Sequence, residues 1–348
     1  MIKYLAKRFF YGILVLTGVV VVVFFLFQGF GDPARLIMGQ RADAVTQENI
    51  RKELYLDQPK WKQFFLYLND VSPLGIHTQE EIEKKQLNGF FIGGGTKLGI
   101  KFPYLRRSYQ TKKKVSDVLL DALPGTLLLA FSAIVLACLL GIPLGVLAAI
   151  KKGTWMDSSA VFTSILGISA PSFFMGIIIA YVFGYLLHDI TGLRMTGSLF
   201  DTDPFSGRQL QISNLILPAI TLGIRPMAII TQLTRSALLD VLNQDYIRTA
   251  YAKGLSRRTV IWKHALRNAL NPVITAITGW FAELLAGAFF VEYIFGWKGI
   301  GKITVDALEK LDFPVVMGSV LVSSLFFIIV NVLADFLYAL ADPRVRIE

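Results

Sequence analysis

The run Gly296-Trp-Lys-Gly-Ile-Gly-Lys302 has the spacing closest to a catalytic motif in this sequence. In a phosphate-binding loop, glycine N–H groups and a lysine hold the phosphates of a nucleotide, and a hydroxyl after the lysine binds magnesium. Here the residue after the lysine is Ile303, and the run follows an apolar segment rather than a short strand. We therefore expect no nucleotide at this site and attribute the glycines to a sharp turn between two helices.

Metal and nucleophilic chemistry have little support in the sequence. The three histidines, His77, His188 and His264, lie in different loops, whereas a zinc site or a catalytic triad needs side chains that converge on one point. Cys138 is the single cysteine, so no disulfide can form within the chain. The sequence predicts no catalytic residue, no metal site and no cofactor bound by this chain.

Two charges, Arg225 and Glu283, interrupt apolar runs. Counted at 1.5 Å per residue, Arg225 lies about 15 Å and Glu283 about 19 Å from one membrane face. A charge at that depth costs about 2.5 to 3.5 kcal/mol unless it is paired or faces water. The matching depths favour an ion pair or a polar patch on a pathway. The alternative is separate partners, such as carbonyl groups freed at Pro226 for Arg225 and the amide of Asn331 for Glu283.

A polar stretch from Tyr246 to Leu270 separates two of the apolar runs. Leu238 to Ala252 is predicted to be a helix, and Gly254 can turn left-handed to end it. Ser256 can cap a second helix that runs to about Leu270, just before a proline. This pattern predicts a rigid knob that carries a push from a soluble partner into the flanking helices, and the alternative is an ordinary basic loop.

The elements that must position these residues are membrane helices. Of the 348 residues, 54 % are hydrophobic and 17 % are charged, which is too apolar for a soluble domain of this length. The net charge of +10 does not indicate a nucleic-acid binder, because the basic residues lie in loops between apolar runs rather than on one polar surface. We expect the basic loops to contact lipid headgroups, and we expect no nucleic acid as a partner.

Six apolar runs are predicted to span the membrane, which gives an all-α membrane protein. They are Phe9 to Phe30, Ala122 to Ile150, Ser158 to Leu187, Leu215 to Thr234, Ala269 to Val291 and Phe313 to Ala341. The first run lacks a signal-peptide cleavage site and is expected to be retained. Lys and Arg are concentrated at the two termini, at residues 151–152 and in 235–268, so both termini are predicted to be cytoplasmic.

The chain then divides into three parts. Residues 1–30 hold the cytoplasmic N-terminus and the first helix, residues 31–117 form a large extracytoplasmic segment, and residues 118–348 form a five-helix core with a cytoplasmic loop at 236–269. The outer segment is itself rich in basic residues, but a segment of that length translocates regardless of charge. Within it, Thr46 is predicted to cap a helix through Leu54, and about 75–105 is interpreted as a solvated insertion.

Blocks of residues across nearly the whole chain resemble the dipeptide and oligopeptide (peptide/nickel) permeases, a family of ABC importer membrane subunits. The polar stretch supplies Thr249-Ala250-x-Ala252-Lys253-Gly254-Leu255 and Lys263-His264-Ala265-Leu266-Arg267-Asn268-Ala269-Leu270. Further blocks in the family's order are Gly141-Ile-Pro-Leu-Gly-Val146, Glu292-x-x-Phe295 and Gly299-x-Gly301. The segment of about 75–105 has no counterpart in that pattern.

The resemblance implies the first (B-type) permease subunit of a type I ABC importer in a bacterial inner membrane. Its expected partners are a second similar permease, two ATPase subunits that bind and hydrolyse ATP, and an extracytoplasmic binding protein. The residues expected to couple this chain to an ATPase are Tyr246, Thr249, Ala250, Ala252, Lys253, Gly254, Leu255 and Ser256. Dipeptides, longer peptides, nickel chelates and glutathione all remain open as cargo. The alternative function is a secondary transporter or channel without an ATPase.

Overall fold

Helices dominate the structure, as the composition predicts. A computed structural model describes residues 2–28, 55–203 and 207–341. The predicted helix from Thr46 to Leu54 lies outside these residues. The helices are α1 (Ile2–Gln28), α2 (Lys60–Val71), α3 (Gln79–Lys85), α4 (Val115–Ile150), α5 (Trp155–Ser169), α6 (Ser172–Tyr181), α7 (His188–Thr191), α8 (Ile216–Leu242), α9 (Asp245–Ala252), α10 (Arg257–Thr259), α11 (Leu266–Gly287), α12 (Phe289–Ile294), α13 (Ile300–Glu309) and α14 (Phe313–Ala341).

Four helical segments in the described part of the chain are long and apolar enough to cross a membrane. They are Lys7–Leu26, Val115–Ile150, Ile212–Leu242 and Phe313–Ala334. The predicted fifth span corresponds to α11, which is not among them. The arrangement of six spans therefore stays a prediction.

The predicted third span is not one straight helix. It is a pair, Trp155–Ser169 and Ser172–Leu186, bent by 107°. Ala170 between the two halves has an extended backbone with ψ 130°. The cause is Pro171, because a proline ring disfavours helical geometry in the residue before it. Counted as one broken span, the pair brings the candidates among the described residues to five.

The expectation of an all-α fold is wrong for two stretches. Strands β1 (Leu74–Thr78), β2 (Gly89–Gly93) and β3 (Thr96–Lys101) form an antiparallel sheet in the order β1-β3-β2. Strands β4 (Phe200–Asp203) and β5 (Gly207–Leu210) form a hairpin. The segment of about 75–105 is thus folded, and its interpretation as a solvated insertion stays a prediction.

The three-stranded sheet has one apolar and one polar face. Six side chains at 57 to 72 % exposure lie in register on the outer face, two from each strand: Leu74, Ile76, Phe90, Ile92, Leu98 and Ile100. On the other face, His77 and Lys101 are buried. The ammonium group of Lys101 donates to the carbonyl oxygens of Asp70 and Ser72 at 2.5 and 2.9 Å, which ties the sheet to the end of α2.

The chain divides into two compact units. The unit built mainly from Leu123–Lys302 has a core of side chains from α4, α6, α8, α11, α12 and the turn after α12, including Leu129, Ile230 and Trp297. The other unit comprises Phe10–Ala122 and Ile303–Ser324 and has a smaller aromatic core. There the rings of Phe24 and Tyr67 stack with centroids 5.7 Å apart.

Candidate coupling site and membrane cavity

The predicted turn between two helices is present at the polar stretch. Helix α9 ends at Ala252, and Gly254 has a φ of +77°, in the left-handed region that favours glycine. The Gly254 N–H donates to the Tyr251 carbonyl at 2.9 Å and closes the turn. Ser256 caps the next helix, because its side chain accepts a hydrogen bond of 3.3 Å from the Thr259 N–H.

Two helix boundaries in this region differ from the prediction. The helix expected from Leu238 to Ala252 is broken after Leu242, because Gln244 is extended with ψ 149° and starts α9. The second helix does not end before Pro272. It passes through a π-helical turn at Val260–Ala265 and continues as α11 to Gly287, with the proline inside it. Membrane helices tolerate internal prolines because neighbouring groups satisfy the freed carbonyls.

The knob, residues 245–261, has a buried base and an exposed tip. Ile247 and Ala250 are buried against Val260 and Ile261, in a cluster that also includes Leu238 of α8 and residues of α4 and α11. This packing connects the knob to three long helices of the unit. A force applied at the tip is therefore transmitted through close-packed side chains rather than through a loose loop.

The predicted coupling residues divide between tip and base. Thr249, Ala252, Lys253, Gly254, Leu255 and Ser256 are exposed. Tyr246 is 42 % exposed, and its hydroxyl accepts a hydrogen bond of 2.8 Å from Asn268 of α11. Ala250 lies in the base, so its small side chain allows close packing instead of meeting a partner. The tip is basic, since Arg257 and Arg258 are exposed beside Lys253.

A partly buried ion pair joins α8, the helix that precedes the knob, to α5. It was not predicted from the sequence. The Arg235 guanidinium, in α8, donates two hydrogen bonds of 2.5 and 2.8 Å to the carboxylate of Asp157, in α5. The same carboxylate accepts a hydrogen bond of 3.0 Å from the Gly153 N–H. The pair joins the first turn of α5 to α8. Asp157 stands at the start of an apolar run, and that position was its one signal in the sequence.

Arg225 and Glu283 line one cavity, but they do not form the ion pair that the sequence suggested. The ion pairs among the described residues include none within 4.0 Å between these two side chains. The Arg225 guanidinium instead lies over the Trp280 ring, 5.4 Å from its centroid. The side chains of Arg225 and Glu283 are both exposed. The structure therefore favours the polar patch over the direct pair.

The run that resembles a phosphate-binding loop holds a carboxyl group of the chain itself. Glu292, at 0 % exposure, accepts hydrogen bonds from the backbone N–H groups of Gly301 and Lys302 at 2.7 and 3.2 Å. Its other oxygen accepts from the Thr126 hydroxyl at 2.7 Å. Glu292 thus caps the start of α13 and fixes the turn after α12. The predicted sharp turn is present, and Gly296 has a φ of +65° in it.

Comparison with known proteins agrees with the family resemblance that the motifs indicated. Residues 141–347 match the family described as binding-protein-dependent transport system inner membrane component, and residues 1–130 match its N-terminal region. The chain is 35 % identical to the dipeptide transport system permease protein DppB of Escherichia coli strain K12, over 99 % of both chains. It is 34 % identical to the glutathione transport system permease protein GsiC of Escherichia coli O6:H1, again over 99 % of both.

A solved structure shares the fold. The inward-facing MetNI methionine ABC transporter superposes with a TM-score of 0.51, over 65 % of this chain and 96 % of that chain, at 17 % sequence identity. At this identity the likeness concerns the fold alone. It agrees with the helical membrane architecture described above.

Proposed function

This chain belongs to the family of inner membrane components of binding-protein-dependent transport systems, and we propose that it is the first permease subunit of an ATP-driven peptide importer. The proposal rests on one main observation, the identity of 35 % over 99 % of both chains to a dipeptide permease. The chain is a transport subunit in an inner membrane, and ATP hydrolysis takes place in a separate chain.

The knob is the proposed contact with that ATPase chain. Its exposed, basic tip suits an acidic groove on a soluble partner, because complementary charges steer association. Its buried base suits the relay of ATPase closure into α4, α8 and α11. The other proposed partners are a second permease, a second ATPase and an extracytoplasmic binding protein.

The proposed topology has six spans, both termini in the cytoplasm and the β1-β3-β2 sheet outside. Cysteine labelling with an impermeant reagent in intact cells tests it, in a Cys138→Ala background. A cysteine replacing the exposed Thr96 should be labelled, and one replacing the exposed Ser256 should not. The reverse pattern would place the knob outside and remove it from any cytoplasmic ATPase.

Transport itself can be tested with the complete complex. Proteoliposomes that contain the full chain, together with its proposed second permease, ATPases and binding protein, should take up labelled Ala-Ala only when ATP is enclosed. Uptake that continues without the ATPase subunits would contradict the proposal and support a secondary transporter or channel. Uptake of no peptide at all, with ATPase activity intact, would reject peptides as cargo.

A further inference from the structure

The cavity that contains Arg225 and Glu283 lies wholly within the unit built from Leu123–Lys302. It is open to solvent on one side, and the space between its lining atoms, open solvent included, is about 560 Å³. Arg225 is contributed by α8, and both Trp280 and Glu283 are contributed by α11.

The two charges of this cavity are of opposite sign, and neither neutralises the other. They are not within 4.0 Å of each other, although they line the same space. Both lie on helices whose other residues are mainly apolar, where an unpaired charge is costly unless it faces water or a ligand. Stacking on Trp280 holds the Arg225 guanidinium and leaves its N–H groups free of a carboxylate from Glu283.

A ligand that matches this arrangement carries one negative and one positive charge at separate ends. At neutral pH a short peptide has an ionised carboxylate at one terminus and an ammonium group at the other. Two residues span at most about 7 Å, which limits the separation of the two charged termini of a dipeptide. A guanidinium binds a carboxylate with two parallel hydrogen bonds, and a carboxylate accepts hydrogen bonds from an ammonium group.

The remaining residues that line the cavity suit peptides with different side chains. Met175, Leu222 and Leu284 are apolar, and a flexible methionine adapts to different shapes. Gly167 and Ala170 have little or no side chain and leave space beside them. Such walls exclude few side chains, whereas the two charges would require free termini.

We infer that this cavity binds a peptide zwitterion, with the terminal carboxylate on Arg225 and the terminal ammonium group on Glu283. The inference rests on the proposed function, since it names where an imported peptide contacts this chain. It assigns both residues to binding and assigns Trp280 to positioning the guanidinium.

Protection of a cysteine from alkylation tests the site without requiring transport. The exposed Ser172 lines the cavity, and Ser172→Cys in the Cys138→Ala background places a thiol there with little change in shape. The full chain in membrane vesicles is treated with N-ethylmaleimide, an uncharged reagent, and the alkylated fraction is measured by mass spectrometry. The probes are Ala-Ala, N-acetyl-Ala-Ala and Ala-Ala-amide.

We expect Ala-Ala to slow alkylation at a concentration about tenfold lower than either blocked peptide, the difference that one charged hydrogen-bonded contact supplies. In Arg225→Gln, Ala-Ala and Ala-Ala-amide should become equivalent, while the free amine is still preferred. In Glu283→Gln, the free amine should lose its advantage and the free carboxylate should keep it. Arg194→Gln is the matched control, because that side chain is in an exposed pair with Asp201.

Equal protection by all three peptides, or selectivity unchanged in both variants, would overturn the inference. If a glutamine variant does not accumulate, Arg225→Lys and Glu283→Asp keep the charges. They should weaken the corresponding preference without abolishing it, and an unchanged preference again overturns the site. Failure of the proposed function is recognised separately, because it abolishes ATP-dependent uptake by the wild-type complex, whereas a wrong site leaves that uptake intact.

Discussion

Replacing Gly254 by valine should uncouple this chain from the proposed ATPase partner without unfolding it. The φ of +77° places any residue with a Cβ in the left-handed region, at a cost of about 1 to 2 kcal/mol. No described heavy atom lies within 4 Å of the position that a Cβ would take, so the new side chain meets nothing in this chain. The whole penalty within the chain is therefore backbone strain.

This strain energy is large compared with the stability of the turn and small compared with the stability of the whole protein. A cost of 1 to 2 kcal/mol lowers the population of the native turn relative to alternatives roughly 5- to 30-fold. The buried base, formed by Ile247, Ala250, Val260 and Ile261, is unaffected, because none of these side chains lies near the added group. We expect normal accumulation and a reduction of ATP-driven uptake by about tenfold, since the tip no longer fits its partner.

Gly153 provides a matched control. It also has a φ of +77°, and a Cβ there would likewise meet no described heavy atom within 4 Å. Its N–H donates to Asp157, and valine keeps that N–H. Gly153→Val therefore introduces the same strain outside the knob and should leave uptake close to that of the wild type.

The assay compares accumulation in the membrane, copurification with the ATPase and ATP-driven uptake of labelled Ala-Ala for both variants. Loss of copurification and uptake in Gly254→Val alone supports the docking role. Equal activity of the two variants would show that the left-handed turn is unnecessary for coupling. An equal loss in both would mean that strain alone, wherever it occurs, accounts for the effect.

Three further predictions follow from contacts within single units. Asp157→Asn and Arg235→Gln should each lower the free energy of unfolding by about 2 kcal/mol, and the double variant by less than the sum, when thermal unfolding of the full chain is measured. Gly301→Ala should destabilise by about 1 to 3 kcal/mol because its Cβ would overlap the backbone of the preceding helix, whereas Gly279→Ala, which meets no described atom within 4 Å, should be neutral in the same assay. Burial, and then nearby lysines, lower the pKa of His77, so the unfolded chain takes up a proton below about pH 6.5 that the folded chain excludes, and stability falls as the pH drops. Hydrogen exchange of the β1 amides, corrected for intrinsic rates, should therefore show less protection at about pH 5 than at about pH 7 in the wild type but not in His77→Phe.

The features that were predictable from the sequence are those determined by local chemistry. The left-handed turn at Gly254 and the cap at Ser256 depend on residue types a few positions apart, and both are present. The membrane class follows from composition alone. The bend at Ala170 also had a local signal, the proline after it.

The three-stranded sheet was not predicted, because the assignment of the whole chain to the all-α class was given more weight than the alternation of apolar residues in these strands. Leu74 and Ile76 alternate with other residues in β1, as do Leu98 and Ile100 in β3, and a period of two is typical of a strand. The glycines and charges of this segment favoured its interpretation as a solvated insertion without strands. The capping box of Thr78 and Glu81, which starts α3, had the same local character and could have been predicted.

The contacts that were not predictable join residues far apart in the chain. Arg235 and Asp157 are separated by 78 positions, and Thr126 and Glu292 by 166. In the second unit, the Asp312 carboxylate accepts hydrogen bonds from the Ser108 hydroxyl and the Tyr109 N–H, 204 and 203 positions away. The spacing of hydrophobic residues and the capping residues are local signals, and they do not identify such pairs. The partners come into contact only after the helices pack.

Glu292 explains why this chain contains a run so close to a phosphate-binding loop. Successive backbone N–H groups at a helix start attract a negatively charged group, and glycines allow that group to approach closely. In a nucleotide-binding protein the group is a phosphate, whereas here the Glu292 carboxyl group fills the position. A Cβ at Gly299 would overlap that carboxyl group, and one at Gly301 would lie 2.9 Å from its nearer oxygen. The glycine spacing is therefore a requirement of an internal cap, and the same physics that binds ATP phosphates elsewhere fixes the start of α13 in this protein.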